Sequence, residues 1–130
     1  SVQCARMYGL QLLMPAIQNR SDNFTRFVIL AKQPLHHPDC QRISLIVRVQ
    51  HRAGALYNAL SRFAVRGINL LKLESRPIPD SPFEFLFYWD FDGNLDDERV
   101  VQALHQLKED TQYIQILGNY PEAPFPSPSL

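Results

Sequence analysis

The sequence is poor in the features that most readily betray a small protein's business. Its only cysteines, Cys4 and Cys40, stand in no Cys-x-x-Cys pair. Neither a disulfide framework nor a zinc site is therefore expected, and both read as ordinary reduced thiols. It carries no excess charge, because thirteen Lys and Arg balance thirteen Asp and Glu. The basic residues are also scattered, which argues against a surface for polyanions. No apolar run approaches the roughly 18 residues of a membrane span. The first residues lack the basic-then-apolar layout of a signal peptide, so a cytosolic location is expected. The four histidines do not converge: His36 and His37 fall in a proline-bearing segment, His51 precedes a helical pattern and His105 lies on another. No metal is expected of that set.

What is present is a globular composition, 45% hydrophobic and 20% charged over 130 residues. That length accommodates one domain, or one compact domain with a short appendage. Two regions differ in character. Residues 1 to 33 hold a short helical pattern from Val2 to Tyr8 that Gly9 can close. Two apolar runs follow, Leu10 to Ile17 and Phe24 to Ala31, read as strands around a polar turn. A helix and two strands this small cannot bury a sheet, so this stretch reads as the end of something larger. Residues 34–41 read as a linker.

From Arg42 the pattern is regular. Ile43, Leu45, Val47 and Val49 alternate with polar residues as a half-buried strand. Gly54 to Arg66 puts Leu56, Leu60, Phe63 and Ala64 on one helical stripe, closed by Gly67. Ile68 to Ser75 reads as a second strand, and Pro77, Pro79 and Pro82 keep the next connection out of the sheet. Alternation from Phe83 to Phe91 gives a third. A helix from about Asp96 to Asp110 follows, with Val100, Leu104 and Leu107 inward and Asn94 or Asp96 as its cap. Tyr113 to Leu117 is the last strand, before a proline-rich tail at 122–130. The order βαββαβ predicts an α+β, ferredoxin-like domain over 42–121: a four-stranded antiparallel sheet with both helices on one face. Its free edge and the aromatic third strand suit homodimerisation.

Three clusters carry candidate chemistry. Gly54, Ala55 and Leu56 begin a helix, where unpaired amides suit a carboxylate; on local pattern alone a plain tight turn is the favoured reading. Asn69, at a strand start, either bonds a ligand's ammonium or caps its own turn. Glu74, Ser75 and Arg76 finish that strand and, taken alone, read as a solvated end. In the first region, Asn23-Phe24-Thr25-Arg26-Phe27 sets a hydroxyl and a guanidinium between aromatics. Such a set can grip a carboxylate or assist a leaving hydroxyl, and it also fits a strand with one polar face.

Taken together, Tyr8-Gly9-Leu10, Asn23 to Phe27, Gly54-Ala55-Leu56, Gly67-Ile68-Asn69-Leu70, Glu74-Ser75-Arg76-Pro77, Asp90-Phe91-Asp92-Gly93 and Leu117-Gly118-Asn119-Tyr120-Pro121 resemble, in order and spacing, prephenate dehydratase. The resemblance implies that residues 1–33 end a two-lobed α/β catalytic domain and that 42–121 form a regulatory ACT domain. It implies conversion of prephenate to phenylpyruvate, carbon dioxide and water without cofactor. Thr25 would assist departure of the hydroxyl, with Arg26 and Phe27 shaping the site. It also implies L-phenylalanine as allosteric inhibitor, bound at a dimer interface by Gly54, Ala55, Leu56, Asn69, Leu70, Glu74, Ser75 and Arg76, in a dimer or tetramer. With most of the catalytic domain absent, the fragment is expected to bind but not to catalyse. The family usually has proline before the Gly-Ala-Leu turn; here Ala53 leaves the start of that helix less rigid. Two other readings are weighed. One is the ACT domain of an aromatic amino acid hydroxylase, similar at Glu74 to Pro77, against which Thr25-Arg26-Phe27 argues. The other is a ferredoxin-like nucleic-acid binder, against which the zero net charge argues.

Overall fold

The computed structural model describes residues 2–20, 25, 27–33 and 38–122. The chain divides into two compact units, Ser1–Leu30 and Ala31–Leu130, and each is described by itself.

In the first unit, α1 (Val2–Tyr8) is a two-turn helix with no buried residue. Gly9 adopts φ 62°, and the Leu10 amide donates to the Ala5 carbonyl at 2.9 Å, so the glycine closes the helix as expected. The two runs beyond it correct the sequence reading: among the described residues, neither 10–17 nor 25 and 27–31 forms a strand. A strand is stable only with neighbours for its amides and a face to bury. Here the apolar side chains stay in solvent, with Leu13 89% and Ile29 97% exposed.

The second unit contains β1 (Arg42–Arg48), α2 (Ala55–Ala64), β2 (Leu70–Pro77), β3 (Phe85–Asp92), α3 (Glu98–Asp110) and β4 (Tyr113–Tyr120). The strands form one sheet in the order β2-β3-β1-β4, every neighbour antiparallel. The predicted βαββαβ arrangement is thus present. One face of the sheet carries the core. Ile43, Leu45 and Val47 of β1 and Trp89 and Phe91 of β3 pack with Ala59 and Phe63 of α2 and Val100, Ala103 and Leu107 of α3. The Phe63 ring sits edge-on to Trp89, with centroids 5.5 Å apart, and to Phe91 at 4.9 Å. The Arg62–Asp110 ion pair at 2.6 Å links the ends of α2 and α3.

Several boundaries move for identifiable reasons. The stripe of α2 that reaches the core is Ala55, Ala59 and Phe63, with Leu56 and Leu60 beside it. Ala64 is exposed because it lies a further ~100° round the helix from Phe63. The cap of α3 is Asp97, whose carboxylate accepts from the Arg99 amide at 2.9 Å; the hydrogen bond from the Arg99 side chain holds that carboxyl below its usual range. Asn94 instead accepts from the Asp96 amide and donates to the carbonyls of Pro38 and Cys40. β2 starts at Leu70, because Gly67 and Ile68 complete the end of α2: their amides return to Ala64 and Phe63 in a Schellman arrangement. β4 runs on to Tyr120 because, past a register shift at Ser44/Leu45, Gly118, Asn119 and Tyr120 still pair with β1. Asn119, 4% exposed, donates to the Arg42 and Gly93 carbonyls and accepts from the Leu95 amide. One side chain thus joins the sheet to the β3–α3 loop.

Candidate ligand site

The end of β1 and the start of β3 lie at the same end of the sheet, since Val47 pairs with Phe87. The turn that follows β1 therefore overhangs the beginning of β3. Between them is a cavity of about 330 Å³, walled by Val49, Ala55 and Leu56 on one side and by Phe83, Phe85 and Phe87 on the other. His51, Arg52 and Glu84 add polar lining. Gly54 makes the turn possible. It holds φ 80°, a left-handed conformation that suits glycine, and no side chain caps the helix that starts after it. The Ala55 amide returns to the Arg52 carbonyl at 3.2 Å, so it is occupied within the turn. Of the expected triplet, Ala55 and Leu56 line the cavity and Gly54 sets the backbone that places them.

The remaining expected residues are distributed differently. Cross-strand partners share a face. Ser75 pairs with Phe87 and so shares the cavity's face, whereas Glu74 pairs with Tyr88 and Arg76 with Leu86 on the face without helices. There Glu74 is bridged by Lys72 at 2.8 Å and by Arg76. The hydrogen bond from Lys72, then the charge of Arg76, holds the Glu74 carboxyl below the usual glutamate range.

Asn69 and Leu70 lie at the opposite end of the sheet, where Leu70 pairs with Phe91. The Asn69 side-chain amide donates to the Asp92 carboxylate at 3.1 Å, and the Asn69 backbone carbonyl accepts from the Asp92 backbone amide at 3.0 Å. Seven steps of about 3.3 Å separate Leu70 from Pro77, roughly 23 Å along an edge strand. A single chain does not bring Asn69 to the Gly54 turn. Thr25 and Phe27 are exposed in the first unit, and Arg26 lies outside the described residues. Among the described residues, no three His, Cys, Asp or Glu cluster as metal ligands, and no helix is long and apolar enough to cross a membrane. Sequence reasoning missed the aromatic wall of Phe83, Phe85 and Phe87. The alternation of those residues was the available signal.

The four-stranded antiparallel sheet with its βαββαβ order is the fold of an ACT-like domain. No family model matches the chain. It is 43% identical over 119 residues to the bifunctional chorismate mutase/prephenate dehydratase of Aquifex aeolicus, covering 92% of this chain and 33% of that protein. It is 39% identical over 136 residues to arogenate dehydratase 1 of Petunia hybrida, covering 93% and 32% respectively. Among solved structures it resembles the prephenate dehydratase of Arthrobacter aurescens in complex with L-Phe. That match has a TM-score of 0.62 and 30% identity, and it covers 71% of this chain and 30% of the other. Over 92–93% of its length the chain is thus similar to prephenate and arogenate dehydratases, and it spans about a third of the length of the curated relatives it matches.

Proposed function

We propose that this chain is the L-phenylalanine-sensing end of a dehydratase of aromatic amino acid biosynthesis, acting as a homodimer through the ACT-like unit. The observation that carries the reading is the cavity at the β1–α2 turn, with its aromatic wall, in a chain similar to a dehydratase solved with L-Phe. An amino acid zwitterion requires donors for its carboxylate, acceptors for its ammonium and an apolar slot for its ring. The helix start and Arg52 supply the first, the Asn69 side chain the second, and Leu56 with the phenylalanines the third.

The separation of roughly 23 Å along β2 favours a site completed by a second copy. β2 is an edge strand, paired on one side only, and its exposed Leu71 and Leu73 suit burial. Two-fold antiparallel pairing of β2 with the β2 of another copy sets the Asn69 end of one strand beside the Pro77 end of the other. Each Gly54 turn then faces an Asn69 from its partner. In this reading Ser75 borders the ligand, while Glu74 and Arg76 stiffen the strand that makes the interface.

In the parent protein, prephenate would lose its ring carboxylate as carbon dioxide and its ring hydroxyl as water, with the ring becoming aromatic; arogenate offers the same chemistry. Thr25 would donate a proton to the leaving hydroxyl, with Arg26 and Phe27 framing it. The buried Cys40 thiol, outside any disulfide, suits a cytosolic protein. Titration calorimetry with L-phenylalanine, beside sedimentation of the 130-residue chain, tests the reading. Saturable binding with a shift toward dimer supports it. No heat and no shift at millimolar ligand overturns it.

A further inference from the structure

Phe83 combines two features that a folded chain ordinarily avoids. Its backbone holds φ 66°, in the left-handed region that bulky L-residues rarely adopt, and its side chain is 79% exposed. The conformation is not that of a loose loop. The Ile78 amide donates to the Glu84 carbonyl at 3.0 Å and the Glu84 amide to the Ser81 carbonyl at 3.2 Å, so the β2–β3 connection is closed on both sides of the residue. The neighbouring Glu84 carboxylate is held by Arg48 at the end of β1. Glycine or asparagine would satisfy this backbone without strain. The exposed ring gains little from packing in the chain itself. Yet it stands in the cavity wall beside Phe85 and Phe87, across from Leu56.

We infer that Phe83 is a specificity-determining residue, whose ring, held at the cavity by the strained turn, selects effectors with an aromatic side chain over aliphatic amino acids of similar size. The inference rests on the sensing function proposed above and adds to it the residue that reads the ring. An aromatic effector packs edge-to-face or offset against Phe83 and gains from the ring quadrupoles as well as from buried area; an aliphatic one gains only the area. Such a pair typically favours the aromatic ligand by roughly two- to tenfold.

The test uses the 130-residue chain as wild type, Phe83→Leu and Phe83→Gly, titrated with L-phenylalanine and L-leucine and melted without ligand. Phe83→Leu is expected to lower the L-phenylalanine to L-leucine affinity ratio about fivefold, with L-leucine binding nearly unchanged. Phe83→Gly is expected to weaken L-phenylalanine at least as much while raising the melting temperature, because glycine relieves the backbone. A merely structural role would not move affinity and stability in opposite directions. Wild-type binding of L-phenylalanine with an unchanged ratio in Phe83→Leu overturns the inference and leaves the sensing reading standing. Absence of L-phenylalanine binding by the wild type overturns both.

Discussion

Replacing Gly54 with alanine separates the turn's role in folding from the role in ligand binding proposed for it. The glycine sits at φ 80°, and a Cβ built there meets no atom within 4 Å. The penalty is therefore confined to the backbone, about 1–2 kcal/mol for an L-residue in the left-handed region. Part of it, roughly 0.4–1 kcal/mol, is offset because alanine restricts the unfolded chain. A net loss near 1 kcal/mol lowers the melting temperature of a domain this size by about 4–8 °C. Gly67 provides a calibration, since it has φ 68° and an equally empty Cβ position, so Gly67→Ala should melt alongside Gly54→Ala. Relaxing the turn toward negative φ would tilt Ala55 and Leu56 out of the cavity wall. L-phenylalanine affinity of Gly54→Ala should then fall at least about tenfold, equivalent to about 1.4 kcal/mol. Calorimetry and thermal melts on one preparation read both quantities. A variant that melts lower but binds L-phenylalanine as tightly as wild type would refute a ligand role for the turn.

Other substitutions probe the scaffold. Asn119→Ala leaves the Leu95 amide and the Arg42 and Gly93 carbonyls without their partner. Urea denaturation should show a loss of about 2–4 kcal/mol, and a change under about 0.5 kcal/mol would mean water replaces the side chain. Gly93→Ala places a Cβ 2.8 Å from Cγ2 of the buried Val100; a loss of about 1–3 kcal/mol is expected by the same assay. The Glu74 carboxyl should titrate below the ordinary glutamate range by carbon NMR and move back toward it in Lys72→Met. Its contribution to stability is complete above the ordinary glutamate pKa and disappears as pH falls through the depressed value. With its side chain 34% exposed, that effect is small. An unchanged midpoint in Lys72→Met would remove the hydrogen bond as its cause.

The legible parts of the fold were those governed by short-range periodicity. Alternation in β1 and β3 and the apolar stripes of α2 and α3 follow from which side chains must leave water, and Gly67 follows from the backbone it must adopt. Asp97 was passed over as the cap of α3 because Asn94 and Asp96 compete for the role on composition alone. Asn94 is instead drawn to Pro38 and Cys40, 56 and 54 residues away in the chain. The hub at Asn119 was invisible for the same reason, its Arg42 partner lying 77 residues away. The two runs of the first unit read as strands because apolarity was in the sequence, whereas among the described residues no strand pairs with them. The resemblance implies that Glu74, Ser75 and Arg76 bind the ligand together. The two-residue period of a strand puts only Ser75 on the face of Phe87, with Glu74 and Arg76 on the other. Phe83 was taken as strand, yet it lies before β3 in a left-handed turn, a departure that pairing of Ile78 with Glu84 imposes from outside the residue.

A subunit-mixing titration tests most directly whether the sensing site is shared between two copies. Gly54→Val and Asn69→Ala should each abolish L-phenylalanine binding alone, since every site in either homodimer then lacks one half. In an equimolar mixture allowed to exchange subunits, half the dimers are mixed. Each mixed dimer holds one intact Gly54 turn facing one intact Asn69, so wild-type affinity should reappear in about one site in four. No recovery on mixing, with mixed dimers demonstrated by mass, would contradict a site built from the Gly54 turn of one protomer and the Asn69 of its partner.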